Sequence, residues 1–334
     1  MAQKTLPASQ FIPNLKVVSQ NPQRLASGHR LCPGCGISVI LKQALTTIDN
    51  PIITANATGC SEICFGAYPY TSFRSPWIHS LFENSASVIS GVEAAWKALG
   101  RKGKLSDTQK KTKFLAVGGD GATYDIGFQW LSGAIERGHD FVYICFDNEG
   151  YMNTGYQRSG STPLGFHTHT SPRGEKLSGK PQQRKNLTKI IAAHDLPYAA
   201  QCNPSNYGDL MKKAHRAFEV SGPAFLNAFS VCPTNWKSDP QKGMVISQLA
   251  TESGLWPLFE VDHGRWKISY RPKDSKKYAE ENPALEEFLS MQGRTKHLLA
   301  PENKDTLDAL KKSIAEDWAF LEKMETAFPL KPGK

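Results

Sequence analysis

Apolar and polar positions along this chain fall into two alternating patterns. Short, nearly unbroken apolar runs occur at 51–58 (PIITANAT), 114–119 (FLAVGG), 141–148 (FVYICFDN), 198–202 (YAAQC) and 224–231 (AFLNAFSV). Runs of this length, rich in Val, Ile and Phe, predict strands buried on both faces. Around and between them, apolar residues recur at helical spacing in 37–49 (ISVILKQALTTID), 85–100 (SASVISGVEAAWKALG), 126–138 (IGFQWLSGAIERG), 186–194 (NLTKIIAAH) and 207–220 (YGDLMKKAHRAFEV). Strand and helix in alternation predict an α/β fold, a mostly parallel sheet with helices on both faces.

The pattern also divides the chain. Residues 1–30 are polar and proline-bearing, an N-terminal arm expected to lie over a neighbour. Residues 31–235 hold the α/β series. Residues 236–334 form a C-terminal extension with helical stretches such as 306–328 (TLDALKKSIAEDWAFLEKMETAF), expected to pack on the domain or on a partner. Inside the series, 155–185 is too long for a neutral connection and is rich in Gly, Ser, Thr and Pro, which marks it as functional.

Composition narrows the class. The longest apolar runs are far too short to cross a bilayer. The N-terminus lacks an apolar signal core, so a cytoplasmic location is expected. Seven cysteines without a secretory signal argue against a disulfide framework and for metal binding or chemistry. The net charge of +9 is the one oddity. It suits an acidic protein partner or a phosphorylated cofactor as well as nucleic acid, and no nucleic-acid recognition motif accompanies it.

The most informative segment is 118–155, GGDGATYDIGFQWLSGAIERGHDFVYICFDNEGYMNTG. A strand ends in Gly119-Asp120-Gly121 and a helix follows. Glycines there let backbone N–H groups approach a phosphate, and the helix start adds favourable partial charge. Asp120 can bind a divalent cation that bridges phosphates. The next strand delivers Asp147-Asn148 to the same sheet edge, where open α/β folds bind ligands. The segment is not GxGxxG and has no Walker lysine, which weakens nicotinamide and ATP readings.

Gly119-Asp120-Gly121 followed by Asp147-Asn148 resembles the thiamine-diphosphate motif. The fuller segment, with 76–100 (PWIHSLFENSASVISGVEAAWKALG) and 249–261 (LATESGLWPLFEV), resembles the beta subunits of the pyruvate:ferredoxin oxidoreductase family. The resemblance runs from about residue 25 to 270. It implies a thiamine-diphosphate-binding fold in which Asp120 and Asn148 offer side-chain oxygens, and Gly150 its carbonyl, to Mg2+. It further implies that Gly59, Gly119, Gly121 and Ala122 border the cofactor, that Asn153 stands by its reacting carbon as a catalytic residue, and that Thr154 touches cofactor or substrate.

Cys32 and Cys35, with Pro33 and Gly34 between them, leave a redox dithiol, zinc and an iron–sulfur cluster all open. The resemblance implies the last: one 4Fe-4S cluster on Cys32, Cys35, Cys60 (in ATGCSE) and Cys232 (in SVCPTNW). Cys64 competes for the third place and Cys202 for the fourth, and Cys145 reads as core. A structural zinc in a non-redox thiamine-dependent decarboxylase is the rival. Asn235 departs from the family pattern, which has glycine after CPT in many members.

By the same resemblance, the reaction joins oxidative decarboxylation of pyruvate, or of a branched-chain 2-oxoacid, to acylation of coenzyme A and reduction of ferredoxin. Only one strand–helix series is evident. The glutamate that activates thiamine is therefore expected on an alpha subunit carrying a pyrimidine-binding domain, with further clusters on gamma- and delta-type subunits. No nucleic acid and no membrane is expected among the partners. In the long loop, His167 and His169 have no assigned role. Lys176, Lys180, Arg184 and Lys185 are expected to make a basic surface for ferredoxin or for coenzyme A phosphates.

Overall fold

Each apolar run becomes a strand. The structure is a computed structural model that describes residues 13–67, 69–175, 177–273 and 281–330. Its strands are β1 (Ile52–Ala57), β2 (Trp77–Ser80), β3 (Lys113–Gly119), β4 (Val142–Asp147), β5 (Tyr198–Cys202), β6 (Ala224–Phe229), β7 (Phe259–Asp262) and β8 (Arg265–Ile268). They form one sheet in the order β2-β1-β3-β4-β6-β5-β7-β8. The first six run parallel, while β7 and β8 add an antiparallel edge. That edge comes from the C-terminal extension, where the sequence pattern showed only helices.

The helices are α1 (Leu15–Val18), α2 (Gly36–Leu45), α3 (Cys60–Phe65), α4 (Ser85–Arg101), α5 (Phe128–Glu136), α6 (Leu187–Ala192), α7 (Tyr207–Glu219), α8 (Pro233–Trp236), α9 (Gly243–Glu252), α10 (Pro283–Ser290) and α11 (Lys304–Ala327). Strand alternation sorts the core into two layers. Leu115, Val117, Val142, Ile144 and Phe146 face α2 and α7. Phe114, Ala116, Tyr143 and Cys145 face α4, α5 and α6. Each fully buried Leu, Ile or Phe contributes roughly 1.5–3 kcal/mol. Exposed ion pairs contribute about 0–1 kcal/mol each, so these layers hold the sheet.

A third cluster gathers Phe229, Trp236, Trp256, Phe288 and Trp318, and through it the extension packs on its own domain. The described part of the arm makes contacts on this chain. Asn21 Nδ2 donates to Thr46 O at 2.8 Å, and Arg24 donates to Asp49 O at 2.9 Å. Residues 1–12 lie outside the described residues.

The loop 155–185 differs most from expectation. It carries no helix or strand among its described residues, yet Ser159, Ser161, Thr162, Phe166, Thr168 and Lys180 are buried. Lys180 Nζ donates to Thr162 O at 2.6 Å inside the fold. Arg184 pairs with buried Asp147 at 3.0 Å. Neither belongs to a basic docking surface: a loop carbonyl holds Lys180, and the carboxylates at and just after the end of β4 hold Arg184. Lys176 lies outside the described residues.

Candidate active site

The parallel strands β1, β3, β4 and β6 are consecutive in the sheet, so their carboxyl ends share one edge. From that edge leave Thr58-Gly59-Cys60, Gly119-Asp120-Gly121, Asp147-Asn148 and Ser230-Val231-Cys232. A cleft opens there, with Gly59, Cys60, Gly119, Gly121, Ala122, Asn148, Gly150 and Asn153 in its lining. Ile37, Phe82, Phe146 and Met152 supply apolar walls.

The glycines have physical reasons to be glycine. Gly59 has φ 150°, left-handed territory closed to side chains, and a Cβ there would point into open space. A Cβ on Gly121 would collide with the Tyr151 ring, whose hydroxyl donates to Gly121 O at 3.0 Å. The segment Gly121–Ile126 forms a π-helical turn, with Gly127 N–H bonded to Ala122 O at 2.8 Å, before α5 begins. The sequence pattern runs the helix back to 126; the π turn delays it because the chain is swung to present Gly121 and Ala122 to the cleft.

Asp120 lies fully buried behind this lining. Ser159 Oγ donates to its Oδ2 at 2.5 Å and Asn148 N–H to its Oδ1 at 3.3 Å. Burial, and then the nearby Asp147, push its carboxyl well above the ordinary range, and among the described residues no lysine or arginine pairs with it. The Asn148 amide completes the picture. With nitrogen inward it donates to Asp120 Oδ1 at 2.8 Å and to Gly150 O at 2.9 Å. With oxygen inward, three oxygens face one another, an arrangement stable only around a cation. The donor set is thus all-oxygen and buried, and it fits a hard divalent ion.

Asp147 points to the opposite face, where Tyr124 Oη and Ser161 Oγ donate to it at 2.5 Å each. Glu149 follows with φ 63° and a fully buried side chain. Its carboxylate meets Arg294 at 2.5 Å and Arg184 at 3.5 Å. Burial raises the Glu149 carboxyl above its ordinary range although Arg294 and Arg184 oppose this.

The cysteines assemble on the α2 side. Cys35 caps α2, Cys60 opens α3, and Cys232 caps α8. Gly36 N–H bonds Val231 O at 3.1 Å, and Arg30 N–H bonds Cys64 O at 3.0 Å, tying the Cys32–Cys35 turn to both other segments. Burial pushes the Cys35 thiol up to about 12 and Cys232 up to about 11, while N–H groups of Ile37 and Asn235 pull back. Cys60 is raised by burial and then by Cys232, Cys35, Cys64 and Cys32. Four other thiols thus lie near Cys60, but among the described residues no three His, Cys, Asp or Glu side chains converge tightly enough to hold one metal ion. Cys145 and Cys202 are buried in β4 and β5, and Lys213 and Asp209, not another thiol, act on Cys202.

Two sequence candidates fall elsewhere. Thr154 is exposed outside the lining, its hydroxyl donating to Gln157 Oε1 at 2.5 Å. His167 and His169 serve their own loop: His169 Nδ1 donates to Gly155 O at 2.5 Å, and His167 Nδ1 accepts from Arg173 N–H at 3.1 Å. Missed by sequence reading were Ser159, Ser161, Arg294 and Trp236, while Arg184 was read as a docking residue. Only Trp236, three residues past the Cys-Pro pair, carried a local signal.

Residues 57–228 match the family model for the thiamine pyrophosphate enzyme, C-terminal TPP binding domain. Pyruvate synthase subunit PorB of Thermotoga maritima is 43% identical, over 96% of this chain and 98% of that protein. The protein of the same name from Methanocaldococcus jannaschii is 45% identical over 91% of this chain and 99% of its own length. Ketoisovalerate oxidoreductase subunit VorB of Pyrococcus furiosus is 40% identical over 90% and 93% respectively. Among solved structures, the 2-oxoglutarate:ferredoxin oxidoreductase from Magnetococcus marinus shares the fold, with a TM-score of 0.52 and 21% identity over 67% of this chain and 79% of that one.

Proposed function

The chain belongs to the family of pyruvate synthase PorB subunits, and from that premise we propose that it is the thiamine-diphosphate- and cluster-binding subunit of a pyruvate:ferredoxin oxidoreductase. The observation that carries this is Cys60: it lines the same cleft as Gly119, Asn148 and Asn153 and also belongs to the group of thiols.

Asp120, Asn148 and Gly150 would hold Mg2+, whose charge relieves the buried, unpaired carboxylate of Asp120. Gly59, Gly119, Gly121 and Ala122 leave room for a diphosphate to approach the backbone. Ile37, Phe82, Phe146 and Met152 exclude water from the cleft, and Asn153 presents a polar group at its mouth. Cys32, Cys35, Cys60 and Cys232 would hold a 4Fe-4S cluster. A cube of four irons spreads its thiolates more widely than one ion does, which accords with thiols that are grouped but not convergent. Raised thiols also mean that ligation releases protons. When bound, thiamine diphosphate supplies a nucleophilic carbon that decarboxylates a 2-oxoacid, and the cluster supplies a one-electron acceptor.

Ile63, Leu81 and Ile126, on segments bordering the cleft, are 51%, 62% and 48% exposed. They would be covered by the alpha subunit that brings the activating glutamate. Coenzyme A, ferredoxin and gamma- and delta-type subunits complete the assembly. Among the described residues no helix is long and apolar enough to cross a membrane.

The test is anaerobic purification of the assembled complex, analysis of its iron, sulfide, zinc and thiamine diphosphate, and assay of ferredoxin reduction with coenzyme A. Iron and sulfide that fall by four each in the Cys60→Ser variant, with pyruvate preferred over 2-oxoisovalerate, are expected. Zinc at the thiols would overturn the redox reading. Preference for the branched acid would overturn the substrate.

A further inference from the structure

α8 is a single turn and cannot be stable alone. It begins at Cys232, whose carbonyl accepts Trp236 N–H at 3.0 Å. Its side chains are spent on the turn that carries the oxygen ligands. Asn235 Nδ2 donates to Met152 O at 3.1 Å, and Trp236 Nε1 donates to Asn148 O at 3.0 Å. One four-residue helix thus grips the chain on both sides of Glu149-Gly150.

A second connection closes the ring. The Arg294 guanidinium sits 3.6 Å from the centre of the Trp236 ring and pairs with Glu149 at 2.5 Å. Trp236, Arg294 and Glu149 are all fully buried, and Glu149 has the left-handed φ of 63° that only a determined surrounding maintains. The path from Cys232 to Trp236, Asn148, Glu149, Arg294 and back to Trp236 contains no solvent-exposed link.

We infer that α8 and Arg294 form a strut that sets the spacing of the thiol group from the cation-binding turn, so that loading either site changes the affinity of the other. Asn235, Trp236 and Arg294 are positioning residues in this device. The inference rests on the two sites as read above. Its physical basis is that Mg2+ tolerates little departure from octahedral geometry. A displacement of Cys232 on cluster loading is passed to the Asn148 carbonyl through one hydrogen bond, and coupling of this kind is reciprocal.

The experiment is a double-mutant cycle on the assembled complex, read as the Kd for magnesium thiamine diphosphate by calorimetry after removal of bound cofactor. Cys32 does not line the cleft, so Cys32→Ser removes a cluster ligand without altering the cofactor's walls. Trp236→Phe keeps the ring under Arg294 and deletes the N–H. Each single variant should weaken binding about fivefold, the size of one hydrogen bond. The double variant should be no weaker than the weaker single. Multiplying effects, or a Kd unchanged in either single variant, overturn the strut. If Trp236→Phe does not fold, Asn235→Ala, at a half-buried position, replaces it in the cycle. Iron analysis separates the two layers: a Cys32→Ser complex that keeps all its iron overturns the cluster assignment itself.

Discussion

Replacing Arg294 by methionine tests how the metal-binding turn is held. Arg294 and Glu149 are both fully buried, with Nη2 2.5 Å from Oε2. Breaking a buried pair by removing one partner costs about 3–5 kcal/mol. Arg184 remains 3.5 Å from the other Glu149 oxygen, so the lower end applies, about 3 kcal/mol. For a chain of 334 residues that lowers Tm by about 4 °C, read by thermal unfolding of the complex. The pH dependence has a definite sign. Burial already raises Glu149 above its unfolded value, and Arg294 is the largest opposing influence. Without Arg294 the folded carboxyl rises further, so between the unfolded and folded values the native state binds more protons and stability falls as pH rises. The deficit of Arg294→Met relative to wild type should therefore grow from pH 5 to pH 8. The pair Glu149→Gln with Arg294→Met, which buries no charge, should recover most of it. A deficit that shrinks with rising pH, or a double variant less stable than the single, would refute the reasoning.

Further outcomes follow from the same geometry. Asp120→Asn removes an unpaired buried charge, so at pH 7 the cofactor-free complex should melt higher while magnesium thiamine diphosphate binding, followed by calorimetry, falls by at least about a hundredfold. Gly119→Ala meets no atom within 4 Å and should fold with unchanged Tm, yet its methyl enters the cleft and should weaken cofactor binding severalfold. Cys145→Ser and Cys202→Ser, at positions away from the thiol group, should leave iron content unchanged, whereas Cys60→Ser and Cys232→Ser should lose the cluster by iron and sulfide analysis.

β1, β3, β4, β5 and β6 and the helices packed on them were legible because burial on two faces writes unbroken apolar runs, and their boundaries differ from the observed ones by a few residues; β2, short and only partly buried, was not. Gly119-Asp120-Gly121 and Asp147-Asn148 were legible for a related reason. Once β3 and β4 are parallel neighbours, residues at their ends must meet at one edge. The fold of the loop 155–185 was not legible. Ser159 and Ser161 reach Asp120 and Asp147 only because the loop is packed inward, and nothing in its composition separates an internal cation such as Lys180 from a surface one. The antiparallel pair β7 and β8 was hidden likewise, since four-residue strands carry too few positions to show a period.

The sequence by itself therefore determined the α/β class and the thiamine-diphosphate motif, both properties of local spacing or of neighbouring strands. Only the tertiary structure decided that Cys32, Cys35, Cys60, Cys64 and Cys232 share a region and that Cys202 does not, because strand order places their loops. It also decided that Arg294, almost 150 residues beyond Asn148, supports the turn of that residue. A buried charge finds its partner through the packing of a whole extension, and packing leaves no periodic trace in the chain.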